Sequence, residues 1–186
     1  LRELQALKQA QYIIGRTRWD NSVTRILAPK ATYFNGNEIL RPEFYNNEWS
    51  PQNDSKVFSI ISVLGSNVYK GMRTIYLAAS LLEEAGVNFQ WKIIGIDQSS
   101  VSFKAAKKAV ARDKSLNSLK LLGRKNAQEI ISCMLDADVY VSASYIENSP
   151  NNVCEAMLLG MPVIASSAGG TSTLIKDEEE GFLFQP

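Results

Sequence analysis

Strands alternating with helices predict an α/β chain whose main body is a doubly wound parallel sheet of about six strands, preceded by an N-terminal helical and irregular extension. Three observations carry this. From residue 57 onward, short apolar runs recur between amphipathic helical stretches. Some runs, such as Val57–Leu64, are nearly continuous rather than alternating, which marks strands buried on both faces. Glycines punctuate the units, with Gly86 and Gly160 ending helices and Gly123 ending a strand.

Taken in order, Leu4, Leu7, Ala10 and Ile14 fall at three- and four-residue spacing, so a helix is expected over Leu1–Ile14. A second short helix is expected from about Asp20 to Leu27, capped by Asp20 or Asn21 and stopped by Pro29. The following residues, up to Asp54, are polar and aromatic and include Asn35-Gly36-Asn37, Pro42 and Pro51. They read as a linker with one or two short elements.

The regular part opens with the strand Val57–Leu64 and the turn Gly65-Ser66-Asn67. Gly71–Ala85 is a helix with Ile75, Ala78, Ala79 and Leu82 on its core face. Phe89–Ile96 is a strand and Val101–Arg112 a helix whose Lys104, Lys107, Lys108 and Arg112 form a solvated face. Leu119–Leu122 is the third strand, and Asn126 with Glu129 makes a capping-box start for the next helix. Val139–Ser142, a helix Asn152–Leu159, Pro162–Ser166, a short helix near Thr171–Ile175 and Phe182–Phe184 complete the pattern.

At 186 residues the chain has room for one good core. A net charge of +1 argues against a nucleic-acid partner, and no apolar run approaches the roughly 20 residues of a membrane helix. Two cysteines, Cys133 and Cys154, sit in apolar helical patterns and read as buried free thiols of a reducing, cytoplasmic setting. With no histidine, the chain holds no Ser-His or Cys-His nucleophile pair and no His-ligated metal. It opens on Leu1 rather than Met, which suggests a piece of a longer protein.

The chemistry concentrates at Glu147 and Glu155, across a junction read as strand, loop and helix. Ligands of open α/β sheets bind outside the carboxyl ends of strands, and two carboxylates there can grip a polyhydroxylated ligand. Glu155 has a second reading. With Asn152 as N-cap it falls at the third helical position and completes a capping box. Glu147 can also be an ordinary exposed loop residue. Asn151, Asn152 and Val153 offer free amides at a helix start, where phosphate binds through orphan donors and the helix dipole. Lys70 precedes Gly71 at another helix start, so a diphosphate could sit between them. Neither a Walker A sequence nor G-x-G-x-x-G is present, which removes P-loop NTPases and dinucleotide enzymes.

Glu147-Asn-Ser-Pro-Asn-Asn-Val-Cys-Glu155-Ala-Met-Leu-Leu-Gly-Met-Pro-Val-Ile-Ala, then Gly169-Gly170 and Gly181-Phe-Leu-Phe, resembles the donor-binding half of family 4 retaining glycosyltransferases. These have the GT-B fold, two Rossmann-like domains around a cleft. The resemblance covers about Val57 to Pro186. It implies a donor-binding domain over 54–186 and, over 1–53, the tail of an acceptor domain with the interdomain crossover. Carried over by position, Glu147 contacts the donor sugar and is the candidate catalytic residue, Glu155 holds the ribose and Lys70 the diphosphate. Gly65 and Gly71 shape the first turn. Gly123 and Arg124 take the base, and Asn151, Asn152 and Val153 approach the phosphates. No metal or other cofactor is implied. The implied partners are a nucleotide-sugar donor and an acceptor glycan, lipid or small molecule held by the other domain. The resemblance also implies a cytoplasmic protein, in the full-length form at the inner face of the membrane, and a chain inactive in transfer by itself. Ser66 departs from the pattern, standing where the family usually has arginine.

Two other functions remain open at this point. A sugar-nucleotide epimerase of GT-B fold shares the carboxyl-edge site and differs in its product. A non-catalytic flavodoxin-like regulatory domain would need an acidic cluster after its first strand, and Val57–Leu64 is not followed by one.

Overall fold

The computed structural model describes residues 2–37, 39–51, 56–110 and 116–186. The N-terminal part differs from the periodicity. Helix α1 (Arg2–Gln9) stops early, and Tyr12–Gly15 is a strand, β1. Aromatic and β-branched Tyr12-Ile13-Ile14 suits a pleated chain, and β2 (Thr32–Asn35) offers a parallel partner with Ile14 opposite Phe34. Nothing opposes this, because α1 buries no residue that would hold a longer helix. Leu1, the expected start of that helix, lies outside the described residues.

Helix α2 (Arg18–Leu27) also begins earlier than expected. Its cap is Thr17, and Asp20 is the third helical residue of a capping box. The Thr17 hydroxyl accepts from the Asp20 amide at 3.1 Å, and the Asp20 carboxylate accepts from the Thr17 amide at 3.2 Å. A short 3-10 turn, Pro42–Asn46, follows β2 and buries Phe44 completely. Trp49 then hydrogen-bonds through its indole to the Ala137 carbonyl at 2.7 Å. Residues 41–49 are therefore packed on the main body. The expected end of the linker at Asp54, and the domain boundary beside it, lie outside the described residues.

The main body is a six-stranded, all-parallel sheet of β3 (Phe58–Val63), β4 (Phe89–Ile94), β5 (Leu119–Gly123), β6 (Val139–Ser142), β7 (Val163–Ser166) and β8 (Phe182–Phe184). Between them run α3 (Met72–Glu84), α4 (Val101–Ala109), α5 (Ala127–Leu135), α6 (Asn151–Leu158) and α7 (Thr171–Leu174). Arg112, the expected end of α4, lies outside the described residues. The capping box of Asn126 and Glu129 forms as expected. Adjacent residues of the central strand feed different cores: Ile61 joins Ile131, Tyr140, Val153 and Val163, while Ile60 joins Ile75, Trp91 and Val141.

Strand order is β5-β4-β3-β6-β7-β8. The chain winds outward from β3 to β5, then crosses back to β6 and winds the other way. The reversal falls between β3 and β6, and the crevice at their carboxyl ends is where such sheets bind ligands.

Candidate functional site

The loops leaving β3 and β6 meet at this reversal. After β3, a short 3-10 turn (Val68–Lys70) ends in Gly71, whose φ of 81° is left-handed. A Cβ on Gly71 would overlap the Ala143 carbonyl oxygen, so glycine is what lets the two loops touch. The Tyr145 amide donates to the Tyr69 carbonyl at 2.8 Å, and the Tyr145 and Thr74 hydroxyls lie 2.8 Å apart.

This contact puts the Lys70 ammonium on the Glu147 carboxylate as a direct ion pair. The same carboxylate oxygen accepts from the buried Ser144 hydroxyl at 2.9 Å. Ser144 is fixed in turn, its carbonyl accepting from Ser166 Oγ at 2.5 Å. Glu147 is thus not a loosely solvated loop residue. Two donors, one from each loop, hold its carboxylate in place.

Glu155 is held differently. Helix α6 is capped by Pro150, not Asn152, so Glu155 stands at the fifth helical position. The capping-box reading is therefore wrong, since a carboxylate one and a half turns in cannot return to the N-cap. Instead Glu155, only 4% exposed, pairs with Arg41 in a side-on, two-point bridge. Arg41 Nε lies 2.6 Å from Oε1 and Nη2 lies 2.7 Å from Oε2. The guanidinium also stands 4.7 Å over the Phe44 ring.

Of the three amides expected to be free at this helix start, that of Val153 is already used. It donates to the Pro150 carbonyl and to Asn152 Oδ1, each at 3.0 Å. The Asn152 side-chain amide reaches across to the Val63 carbonyl at 2.8 Å, tying α6 to the end of β3. Asn151 is the first residue of the helix. Gly65 and Ser66 are exposed in the turn after β3. Gly123 and Arg124 stand at the end of β5, where the Gly95 amide donates to the Gly123 carbonyl at 2.7 Å. They share no hydrogen bond or ion pair with either glutamate among the described residues.

Sequence reasoning missed a third grip on the Glu147 loop. Thr17, 2% exposed, donates its hydroxyl to Asn148 Oδ1 at 2.9 Å. Burial alone would raise the Asp20 carboxyl. Hydrogen bonds from Tyr33, Arg16, Asn148 and Thr17 outweigh it and hold the group below its ordinary value. The Tyr33 phenol is pushed up to about 12, by burial first and then by Asp20. Burial likewise holds the Cys154 thiol high. Gly169 and Gly170 close the arrangement. A Cβ on either would overlap the Glu147 or Asn148 carbonyl oxygen.

Among the described residues, no group of three His, Cys, Asp or Glu could hold a metal ion. No described helix is long and apolar enough to cross a membrane.

Comparison with solved structures supports the fold reading. Sucrose-phosphate synthase from Thermosynechococcus elongatus superposes with a TM-score of 0.81 at 19% identity, over 99% of this chain and 47% of that one. Anabaena HepE, solved with UDP-glucose, gives 0.78 at 21% identity over 100% of this chain and 54% of its own. The likeness covers about half of each. Among curated proteins, the amylovoran biosynthesis glycosyltransferase AmsK of Erwinia amylovora is 29% identical over 130 residues, 67% of this chain. That match spans 31% of AmsK, so the chain corresponds to about a third of its relative's length. The family model for glycosyl transferases group 1 matches residues 43–186, and the chain belongs to that family.

Proposed function

We propose that this chain is the donor-binding part of a retaining, metal-independent glycosyltransferase that takes its sugar from a nucleotide-diphosphate donor. The observation that carries the proposal is the meeting of Lys70 and Glu147 at the β3–β6 reversal, with Glu155 on the adjoining helix. Lys70 takes the diphosphate, leaving Glu147 for the hydroxyls of the sugar. Glu155 takes the ribose hydroxyls. The bridge to Arg41 uses one lone pair on each of its oxygens and leaves a second on each for a hydroxyl. Gly65 and Gly71 allow the backbone to approach the donor, Asn151 and Asn152 face the phosphates, and Gly123 with Arg124 borders the base.

Catalysis then rests on positioning and on electrostatic support for the leaving diphosphate as an oxocarbenium-like sugar develops. Two similar proteins, HepE with its bound UDP-glucose and the amylovoran biosynthesis glycosyltransferase AmsK, favour a UDP-sugar donor and a glycan or glycolipid acceptor in the whole protein. The working place is the cytoplasm, at the inner face of the membrane when the acceptor is lipid-linked.

The test is a thermal-shift panel of UDP, GDP, ADP and their sugar conjugates. A matching ligand at 100 times its dissociation constant should raise the melting point by roughly 5–10 °C. A panel that leaves the melting point unchanged throughout would overturn the reading. The two glutamates should separate by calorimetry. Glu147→Ala is expected to bind free UDP normally, while UDP-glucose loses about tenfold as its sugar hydroxyls lose a charged acceptor. Equal losses for both ligands would reject the sugar role.

A further inference from the structure

We infer that Thr17 and Asn148 are positioning residues for Glu147, so that the segment before α2 sets the geometry of the sugar end of the donor site. The inference rests on the donor-site reading above and adds Thr17, a residue from outside the matched family region, which begins at residue 43.

Glu147 and Asn148 are gripped from three directions. Lys70 and Ser144 hold the Glu147 carboxylate. Gly169 and Gly170 press against the two backbone carbonyls and let the chain lie there. Thr17 takes the Asn148 side chain at 2.9 Å, and the Asn148 side chain also stabilises the Asp20 carboxylate. The third grip is the only one of these to come from the first 40 residues. It is also stiffly built. Thr17 is buried and caps α2, Asp20 closes the capping box and is held by the Tyr33 hydroxyl, and the Arg18 amide donates to Thr173 Oγ1 at 3.2 Å. The Thr17 hydroxyl therefore serves two purposes: its lone pair caps the helix, and its proton fixes the loop. A catalytic carboxylate displaced by about 1 Å can lose a hundredfold in rate, so a support one residue away has leverage on the chemistry.

Four variants of this chain separate a positioning role from a structural one. Asn148→Ala removes the link while leaving the α2 capping box whole. Thr17→Val removes both. Thr17→Ser keeps the hydroxyl, and Tyr33→Phe loosens Asp20 while leaving both partners of the Thr17–Asn148 bond in place. The first readout needs no ligand. Amide exchange at Tyr145, which reports on the loop through its bond to Tyr69, should quicken about tenfold in Asn148→Ala and Thr17→Val, as expected for one lost hydrogen bond. It should stay at the parental rate in Thr17→Ser and Tyr33→Phe. Unchanged exchange in Asn148→Ala would overturn the inference whether or not the chain binds a nucleotide. The second readout is calorimetry. In Asn148→Ala the advantage of UDP-glucose over UDP should shrink about tenfold while UDP itself binds as before. Failure of the parent chain to bind either compound counts against the donor-site reading. Faster exchange with an undiminished UDP-glucose advantage overturns the positioning role itself.

Discussion

Gly71→Ala should destabilise the chain by about 2–5 kcal/mol, the sum of a left-handed alanine and an overpacked contact, and should abolish donor binding. The conformational part is modest. An L-residue at φ of 81° costs roughly 1–2 kcal/mol. The rest comes from the new methyl group, which would overlap the Ala143 carbonyl oxygen. That oxygen is backbone, so it cannot rotate aside. The turn after β3 must back away from the loop after β6, and the Tyr145–Tyr69 hydrogen bond and the Lys70–Glu147 pair lie in that joint.

Gly86→Ala supplies the control. Gly86 has φ of 71°, but a Cβ there meets nothing within 4 Å. It should lose only the conformational part, a few degrees in melting point, against about 10 °C or more for Gly71→Ala in a chain of this size. Matching melting points for the two variants would show that the close approach at Gly71 carries no energy.

The sheet was legible in the sequence because its central strands, β3 and β6, are buried on both faces and read as apolar runs with no competing period. Strand β1 was not. Its residues are alternately exposed and half-buried, and Ile14 happens to continue the helical spacing of Leu4 and Leu7. The α2 boundary slipped because Thr17, Asp20 and Asn21 all have cap chemistry. The pairing of Thr17 with Asp20 three residues on was the signal that could have decided it. At α6 the same ambiguity among Asn151, Asn152 and Pro150 moved Glu155 two positions and gave it a local partner.

The site was legible as a set of residue types at strand ends, and less so as a set of partners. Lys70 and Glu147 were both singled out, yet nothing in one sequence says that they touch. The Arg41–Glu155 bridge joins residues 114 apart, and the Thr17–Asn148 bond joins residues 131 apart. Such contacts depend on how the N-terminal segment folds back over the sheet. No local period or cap encodes that.

Arg41→Ala should destabilise the chain by about 3 kcal/mol, and Glu155→Ala by only about 1–2 kcal/mol, though the two variants break the same bridge. The asymmetry follows from burial. Without Arg41, a carboxylate 4% exposed is left with no cation to pair it. Without Glu155, the guanidinium is left with its side chain 41% exposed, so water solvates it in place. Arg41→Lys should recover little, because an ammonium cannot reproduce the two-point fork. Replacing both partners, Arg41→Met with Glu155→Leu, removes the stranded charge and should return most of the stability while leaving nothing to hold a ribose. Urea unfolding of the four variants measures the stabilities, and UDP calorimetry on the double variant measures the function. A stable double variant that still binds UDP at parental affinity would remove Glu155 from the donor site. A loss in Glu155→Ala as large as in Arg41→Ala would show that burial does not set the balance of this bridge.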